Sequence, residues 1–330
     1  MDAFTWIVIL VVISLLFDFL NGFNDSANMV ATLISSRSMS GRNALTMAAI
    51  ADFCGPFIFG VAVAKTIGSG IAIPQFITVE MLIAALLSAC IWNLITWKHG
   101  IPSSSSHALV GGLIGALLIG AGAKAIMAQG LIKIFIALLF SPVIGLFFGW
   151  VSMKLTLRLL KKATPNANYF FKWGQIPTAI TLALSHGAND AQKTMGIITL
   201  GLITTGYQQE FSVPYWVMLA CAGAISIGTF TGGWRIIKTM GTKFYKIKPI
   251  HSFTSQLASS VVIIVSSLLG GPVSTTQVVS MSIMGVGAGE RLSKVRWLVL
   301  KEIALSWILT IPVTIVMAIP IYLIIQLLLH

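Results

Sequence analysis

Residues 18–28 read DFLNGFNDSAN and lie inside an apolar stretch that runs from 3 to 36. A related motif, HGANDAQK at 186–193, lies inside a second apolar stretch at 173–205. The two motifs share an Asn-Asp pair shortly after a glycine, at an offset of 165 residues (186 − 21). Each stretch is too long for one straight membrane span of about 20 residues. Polar residues and glycine at such a depth predict a broken helix that lines a cavity or is buried in protein.

The composition is typical of an integral membrane protein. Of the 330 residues, 56% are hydrophobic and only 9% are charged, whereas soluble domains carry about 25% charged residues. The mean hydropathy is +0.92. These values exclude a soluble enzyme, a nucleic-acid-binding protein and a disordered chain. The lipid bilayer is therefore the first partner that the sequence predicts, and no nucleic acid is expected.

Ten apolar segments alternate with polar loops, which predicts an all-α polytopic membrane protein of ten to twelve transmembrane segments. The segments cover residues 3–36, 43–67, 78–97, 102–123, 126–153, 173–205, 213–234, 252–270, 272–289 and 297–328. The net charge is +12, and lysine and arginine collect near 37–42, 154–172, 235–248 and 291–301. The positive-inside rule places these four groups on the cytoplasmic side of the cell membrane and both termini outside. The segments at 102–123 and 272–289 are alternatively re-entrant hairpins.

The chain repeats itself in one order. PSSSSH at 102–107 returns as PVSTTQ at 272–277, an offset of 170, and KTIG at 65–68 returns as KTMG at 238–241. We expect a first repeat at 1–155, a short basic cytoplasmic connection at 156–172 and a second repeat at 173–330. Five crossings in each half would insert the halves in opposite directions. Inverted repeats are typical of secondary transporters, whose substrate sites lie near the midplane.

Four carboxylates lie within apolar segments, at a cost of about 3 kcal/mol each on insertion scales. Oxygen-rich Asn-Asp pairs at helix breaks favour a hard cation such as Na⁺. The predicted cation ligands are Asp18, Asn24, Asp25, Asp52, Asn189 and Asp190. The alternative is structural: helix caps or satisfied buried pairs.

Two hydroxyl clusters follow prolines and open apolar helices. Helix N-termini favour anions, so two such clusters, one from each repeat, predict a site for a tetrahedral oxyanion. The predicted anion ligands are Ser103, Ser104, Ser105, Ser106, Ser274, Thr275 and Thr276, together with Asp25, Asn28 and Lys193. The alternative is helix capping by these hydroxyls.

These paired motifs resemble the inorganic phosphate transporter family (PiT, or Pho4) over essentially the whole chain. The resemblance implies symport of inorganic phosphate with Na⁺ or H⁺ by alternating access, and it matches Asp52 to the family's acidic residue in the second span. Some relatives carry sulfate, and some carry a metal–phosphate complex with protons. Asn24, Gln256 and Gln277 depart from the family's usual residues, which leaves the coupling ion and the exact substrate open. Moving a divalent anion inward against −100 mV costs about 4.6 kcal/mol, so coupling is expected, with Na⁺ favoured.

Other classes of protein fit less well. A passive anion channel needs no buried carboxylates, and a membrane-embedded enzyme needs a nucleophile beside a base, which no motif supplies. We therefore expect no enzyme activity and no cofactor beyond the transported ions. A homo-oligomer and a soluble regulatory partner at the cytoplasmic face are left open.

Overall fold

The computed structural model describes residues 2–164 and 166–329. Within them the chain forms twelve α-helices, four single-turn 3₁₀ helices and no β-strand, so the expected all-α class is confirmed. The helices are α1 Ala3–Ser35, α2 Gly41–Phe59, α3 Ala62–Gly70, α4 Val79–His99, α5 Ser105–Gly120, α6 Ala128–Leu159, α7 Ala167–Thr204, α8 Tyr215–Thr231, α9 Trp234–Thr242, α10 Pro249–Leu268, α11 Thr275–Glu290 and α12 Trp297–Leu329. The 3₁₀ turns are Pro74–Phe76, Ala123–Ala125, Leu160–Lys162 and Leu292–Lys294.

The helices of the two halves follow the same order of lengths. A long helix of 33 or 38 residues comes first, then a bent pair of 19 and 9 or 17 and 9 residues. A hairpin of 21 and 16 or 20 and 16 residues follows, and a helix of 32 or 33 residues ends each half. The packing also exchanges elements between the halves, since α1 packs on α8 while α7 packs on α2, and α5 packs on α12 while α11 packs on α6.

The predicted breaks at the Asn-Asp motifs are wrong: α1 and α7 run straight through them as continuous helices. The motif glycines serve close helix packing instead. A Cβ atom on Gly22 would lie 2.0 Å from the carbonyl oxygen of Ile225, and one on Gly187 would lie 2.0 Å from that of Asp52. The helix keeps its own backbone hydrogen bonds, so no backbone carbonyls are freed there for a cation.

Real breaks occur elsewhere. The helices α2 and α3 meet at 76°, and α8 and α9 meet at 66°. Gly60 and Gly232 follow the first helix of each pair with φ of +79° and +73°, a conformation that glycine adopts without a steric penalty. Side chains next to the motif aspartates accept hydrogen bonds at the starts of the second helices. Ser26, one residue after Asp25, accepts from Gly233 N at 3.0 Å. Gln192, two residues after Asp190, accepts from Val63 N at 2.8 Å.

Among the described residues, five helices are long and apolar enough to cross a membrane alone, and up to seven spans result if each bent pair counts as one. The helices α5 and α11 have 16 residues each, about 24 Å, which is less than the roughly 30 Å of a bilayer core. Each packs antiparallel on the helix before it, as the contact between Glu290 and His251 illustrates at 2.5 Å. The ten to twelve crossings stay a prediction.

Basic residues from three of the four groups border one cavity at one end of the molecule: Arg37, Lys246, Lys248 and Arg296. The fourth group is near, because Gln175, which accepts a hydrogen bond from Ser36, donates to the Lys172 carbonyl. The basic groups therefore share one end, as the topology prediction requires.

Candidate functional site

The two hydroxyl clusters meet in the interior at the starts of α5 and α11. Ser104 Oγ accepts from His107 N at 3.2 Å, and Ser274 Oγ accepts from Gln277 N at 3.3 Å. These two serines are N-caps, as the alternative interpretation holds. The hairpin tips touch, since Ser106 Oγ donates to the Val273 carbonyl at 3.3 Å. Two helix N-termini thus converge in a buried space.

The aspartates of the two motifs share one threonine. Thr275 Oγ1 lies 3.1 Å from Asp25 Oδ2 and 3.0 Å from Asp190 Oδ2. Thr276 Oγ1 donates to Asp25 Oδ1 at 2.7 Å and accepts from Asn28 Nδ2 at 3.2 Å. Residues 165 positions apart on α1 and α7 therefore join the start of α11 in one hydrogen-bonded cluster.

Lys193 is the cation of this cluster. Its Nζ contacts Asp190 Oδ1, donates to Ser106 Oγ at 2.6 Å and donates to the Val273 carbonyl at 3.0 Å. Its side chain is 2% exposed, and a buried ammonium is stable only when paired and hydrogen-bonded. Lys193 therefore connects the second Asn-Asp motif to both hairpin tips.

His186 lies between three carboxylates. Its Nδ1 is 2.8 Å from Asp52 Oδ1, and its Nε2 is 3.6 Å from Asp25 Oδ2 and 3.4 Å from Asp190 Oδ2. Asp52 Oδ2 also accepts from Thr229 at 2.6 Å. One ligand atom from each of Asp25, His186 and Asp190 falls within 4.8 Å of the others, which is close enough for a single cation.

Four asparagine side chains in the two motifs have carbonyl oxygens without hydrogen-bond donors. In the described chain no hydrogen-bond partner reaches the buried Oδ1 atoms of Asn21, Asn24, Asn28 and Asn189. Their amide groups are engaged: Asn24 donates to the Asn93 carbonyl at 3.1 Å and Asn189 donates to Ser267 Oγ at 2.9 Å. Buried acceptors are normally satisfied, and oxygen atoms of this kind are ligands for hard cations.

Other predicted residues lie at the edge of the cluster. Asp18 accepts from Thr194 at 2.5 Å, with its second oxygen buried and unpaired among the described residues. Ser103 donates to Thr96 at 2.8 Å, and Ser105 donates to Asn93 Oδ1 at 3.2 Å. The structure thus brings together Asp25, Asn28, Ser106, Asp190, Lys193, Thr275 and Thr276, and it leaves Asp18, Ser103, Ser104 and Ser274 outside that set.

Several residues that contribute to the site were not predicted from the sequence. Asn21 donates to Asp190 Oδ2 at 3.3 Å, and it occupies the position in the first motif that His186 holds in the second. Asn93 and Thr229 are polar residues inside apolar segments, which was the available signal. The centre contains three carboxylates (Asp25, Asp52 and Asp190) and one lysine, so its fixed charge is negative when His186 is neutral.

The chain matches a family model described as "Phosphate transporter family" over residues 21–318, which include both motifs and both hydroxyl clusters. The chain belongs to the phosphate transporter family. The resemblance predicted from the motifs is therefore confirmed, and this phosphate transporter family member is a multi-pass membrane protein.

Similar proteins cover nearly its whole length. A "Probable low-affinity inorganic phosphate transporter" of Rhizobium meliloti (strain 1021) is 43% identical, over 94% of this chain and 93% of that protein. A protein of the same description from Bacillus subtilis (strain 168) is 42% identical, over 95% and 96%. A solved structure described as "The sodium-dependent phosphate transporter" superposes with a TM-score of 0.88 at 25% identity, covering 98% of this chain and 99% of that one.

Proposed function

We propose that this protein is a secondary transporter that carries inorganic phosphate together with a cation, and that it is not an enzyme. The observation that carries the proposal is the threonine pair at the start of α11, which contacts the aspartates of both motifs. An anion site and a cation site thereby share side chains. Shared side chains are what coupling requires, because each ion must change the binding free energy of the other.

The anion site lies between the starts of α5 and α11. Ser105, Ser106, Thr275, Thr276 and the free N–H groups of both first turns supply donors, and Lys193 supplies a positive charge. Such helix starts bind tetrahedral oxyanions. A single lysine, already paired with Asp190, holds the anion without the strong clamp that several arginines would form.

The cation sites use the carboxylates and the unpaired amide oxygens of the two motifs. Asp25 with Asn24 and Asn28, and Asp190 with Asn21 and Asn189, offer two oxygen-rich groups. Asp18 and Asp52 extend the set toward α7 and α8. Two groups of ligands support at least two cations for each transport cycle.

The electrostatics of the centre favour coupling. When His186 is neutral, three carboxylates against one lysine repel a divalent anion, and Coulomb energies at short range in a buried site are large. Monovalent cations at Asp25 and Asp190 remove this repulsion. We infer that phosphate binds strongly only after the cations are in place.

Phosphate is favoured over sulfate by the position of the carboxylates. At neutral pH, phosphate retains a proton that it can donate to a carboxylate, whereas sulfate has none. Asp25 and Asp190 accept hydrogen bonds from the same threonines that face the anion. A carboxylate acceptor beside the hydroxyls supports phosphate as substrate.

Na⁺ is the favoured coupling ion because the available ligands are oxygen atoms. His186 supports a second candidate, a divalent metal–phosphate complex carried with protons, since its Nε2 atom faces Asp25 and Asp190. Imidazole nitrogen is a ligand that transition metals prefer. Uptake of Mn²⁺ or Zn²⁺ that requires phosphate would favour the metal–phosphate complex, and phosphate uptake that needs Na⁺ and no divalent metal would favour Na⁺.

Two inverted repeats account for the arrangement of the hairpins. The end of α4 lies beside α9, where Arg235 donates to the Lys98 carbonyl at 2.6 Å. The last residues of α9 and the start of α10 border the same basic cavity. The end of α4 and the start of α10 therefore lie toward the same end of the molecule. These are the first helices of the two hairpins, so the hairpins run in opposite directions, which supports inversion and basic loops on the cytoplasmic side.

Labelled phosphate uptake by proteoliposomes tests the proposal, with Na⁺ and pH gradients imposed separately and sulfate as competitor. We expect accumulation that follows the Na⁺ gradient and weak competition by sulfate. Phosphate that only equilibrates, with no accumulation under either gradient, would indicate a channel.

A further inference from the structure

A cavity of about 560 Å³ opens at the end of α1, between α9 and the start of α10. Four basic side chains line it: Arg37, Lys246, Lys248 and Arg296. Among the residues that the structure describes, no aspartate or glutamate lines it. A concave site with charge of one sign concentrates the oppositely charged ion, so this cavity attracts anions.

The carboxylate of Glu290, which is linked to the cavity through Lys294, does not cancel this charge. Glu290 lies 2.5 Å from both His251 Nε2 and Lys294 Nζ. Lys294 also lies 5.6 Å from the ring centre of Tyr245, a lining residue of the cavity. Glu290 is therefore already paired, and the cavity keeps its positive charge.

A line of polar side chains runs along α1 from the central site to this cavity. Asp25, Asn28, Thr32 and Ser36 follow one another at helical spacings of three and four residues, which places them on one face. Thr32 Oγ1 accepts from Ser252 at 3.0 Å and from Gln256 at 3.1 Å. We name this row, with its partners on α7 and α10, the polar face of α1.

Further polar contacts lie between Thr32 and the cavity. Gln256 Oε1 accepts from Thr178 at 2.7 Å, and Ser36 Oγ donates to Gln175 Oε1 at 2.8 Å. Ser35 and Ser36 line the cavity itself. Buried polar groups in a membrane protein are costly and mark ion or substrate pathways.

We propose that the basic cavity is a second anion site at the surface of the protein, and that inorganic phosphate passes between it and the central site along the polar face of α1. This inference rests on the proposed phosphate transport. The cavity raises the local concentration of phosphate at its own end of the route. Hydroxyl and amide groups of Thr32, Ser252 and Gln256 then replace water around the anion as it passes.

Phosphate exchange at equal Na⁺ concentration on both sides tests this route in everted and right-side-out membrane vesicles. The test variant is Lys246→Gln/Lys248→Gln. The matched control is Lys161→Gln/Lys162→Gln, which removes the same charge from two exposed lysines in the 3₁₀ turn after α6. We expect the test variant to raise the apparent KM about tenfold when phosphate is supplied at the basic end, and to leave the KM from the other end unchanged.

The outcomes separate the route from the proposed function. If wild-type vesicles exchange phosphate and the test variant behaves like its control, the route is wrong and the transport function stands. If wild-type vesicles exchange no phosphate, the proposed function fails and the route fails with it. Proteoliposomes with and without phosphatidylglycerol separate binding of free phosphate from binding of a lipid headgroup. The same ratio of the KM of the test variant to the wild-type KM in both preparations supports the route. A raised KM of the test variant that is seen only with the anionic lipid overturns it.

Discussion

The polar face of α1 and the equivalent face of α7 begin alike and end differently. At the offset of 165 residues, Asp25 corresponds to Asp190 and Asn28 to Lys193. Beyond these, Thr32 corresponds to Ile197, and Ser35, which lines the basic cavity, corresponds to Leu200. The two halves are therefore similar at the central site and diverge on the way out of it.

The side chains on the two helix faces also pack through different interactions. Thr32 sits in a hydrogen-bonded group with Ser252 and Gln256. Ile197 and Leu200 instead border a cavity of about 10 Å³ whose lining is apolar, with isoleucine and leucine side chains from α3, α4 and α5. A space of that size holds at most about one water, and an apolar one stays dry.

This difference indicates which side of the central site costs more free energy to expose to water. Opening the apolar side exposes hydrocarbon to water at about 25 cal/mol for each Å². Opening the polar side exchanges hydrogen bonds within the protein for hydrogen bonds with water, at a smaller net cost. We therefore expect the basic end to open at a lower cost in free energy than the apolar end.

The largest effect is expected where the halves agree. Asp25→Asn removes a carboxylate that accepts from Thr275 and Thr276, so coupled phosphate uptake should fall at least about a hundredfold while expression stays near normal. Asp190→Asn should do the same. The control is Asp2→Asn at an exposed carboxylate, and uptake at the wild-type rate by the Asp25 variant would remove Asp25 from the site.

Thr275→Ala sharpens the assignment of the anion site. Each lost hydrogen bond to a charged group costs about 1.5–3 kcal/mol, so the apparent affinity for phosphate should weaken about ten- to a hundredfold. Ser105→Ala, at a hydroxyl that donates to Asn93, should lie at the low end of that range. Ser274→Ala is the control because Ser274 caps α11: it should cost about 1 kcal/mol of stability and little affinity. Half-saturation of uptake checks all three, and equal losses of affinity would contradict the assignment.

Thr32→Val tests the polar face with a nearly isosteric side chain. The change leaves the Ser252 hydroxyl and the Gln256 amide without this acceptor, and a buried unsatisfied donor costs about 1–3 kcal/mol. Thermal unfolding in detergent should show a lower Tm, and the rate of phosphate uptake should change with it. An unchanged Tm together with an unchanged rate would mean that Thr32 plays no part in closing this face.

Ile197→Val gives the smallest expected effect. It removes one methylene from the apolar face, at a cost of about 0.5–1.5 kcal/mol. We expect a small fall in Tm and no change in the KM for phosphate. A large change in KM from this variant would mean that the α7 face takes part in binding phosphate.

The sequence predicted the helical class and the phosphate transporter family. These features depend on hydropathy and on the recurrence of Asn-Asp and hydroxyl motifs, which a sequence displays directly. Asp25, Asp190, Thr275 and Thr276 were predicted as ligands, and the structure places Thr275 within hydrogen-bonding distance of both aspartates and Thr276 within that distance of Asp25. Which of them bind phosphate stays a prediction.

The helix breaks could not be predicted because a glycine has two uses that look alike in sequence. Gly22 and Gly187 allow another backbone to approach, so α1 and α7 stay intact. Gly60 and Gly232 adopt positive φ and end a helix. Similarly, His186 looks like a single buried histidine until α2 and α7 pack together and set Asp52 against it.

The most direct test of the central claim is the simultaneous flux of labelled Na⁺ and labelled phosphate into one preparation of proteoliposomes. We expect that phosphate stimulates Na⁺ uptake and Na⁺ stimulates phosphate uptake, with at least two Na⁺ ions entering for each phosphate. Asp25→Asn should abolish both stimulations together. Phosphate accumulation to the same level in Na⁺-free medium, with no phosphate-dependent Na⁺ flux, would contradict the account.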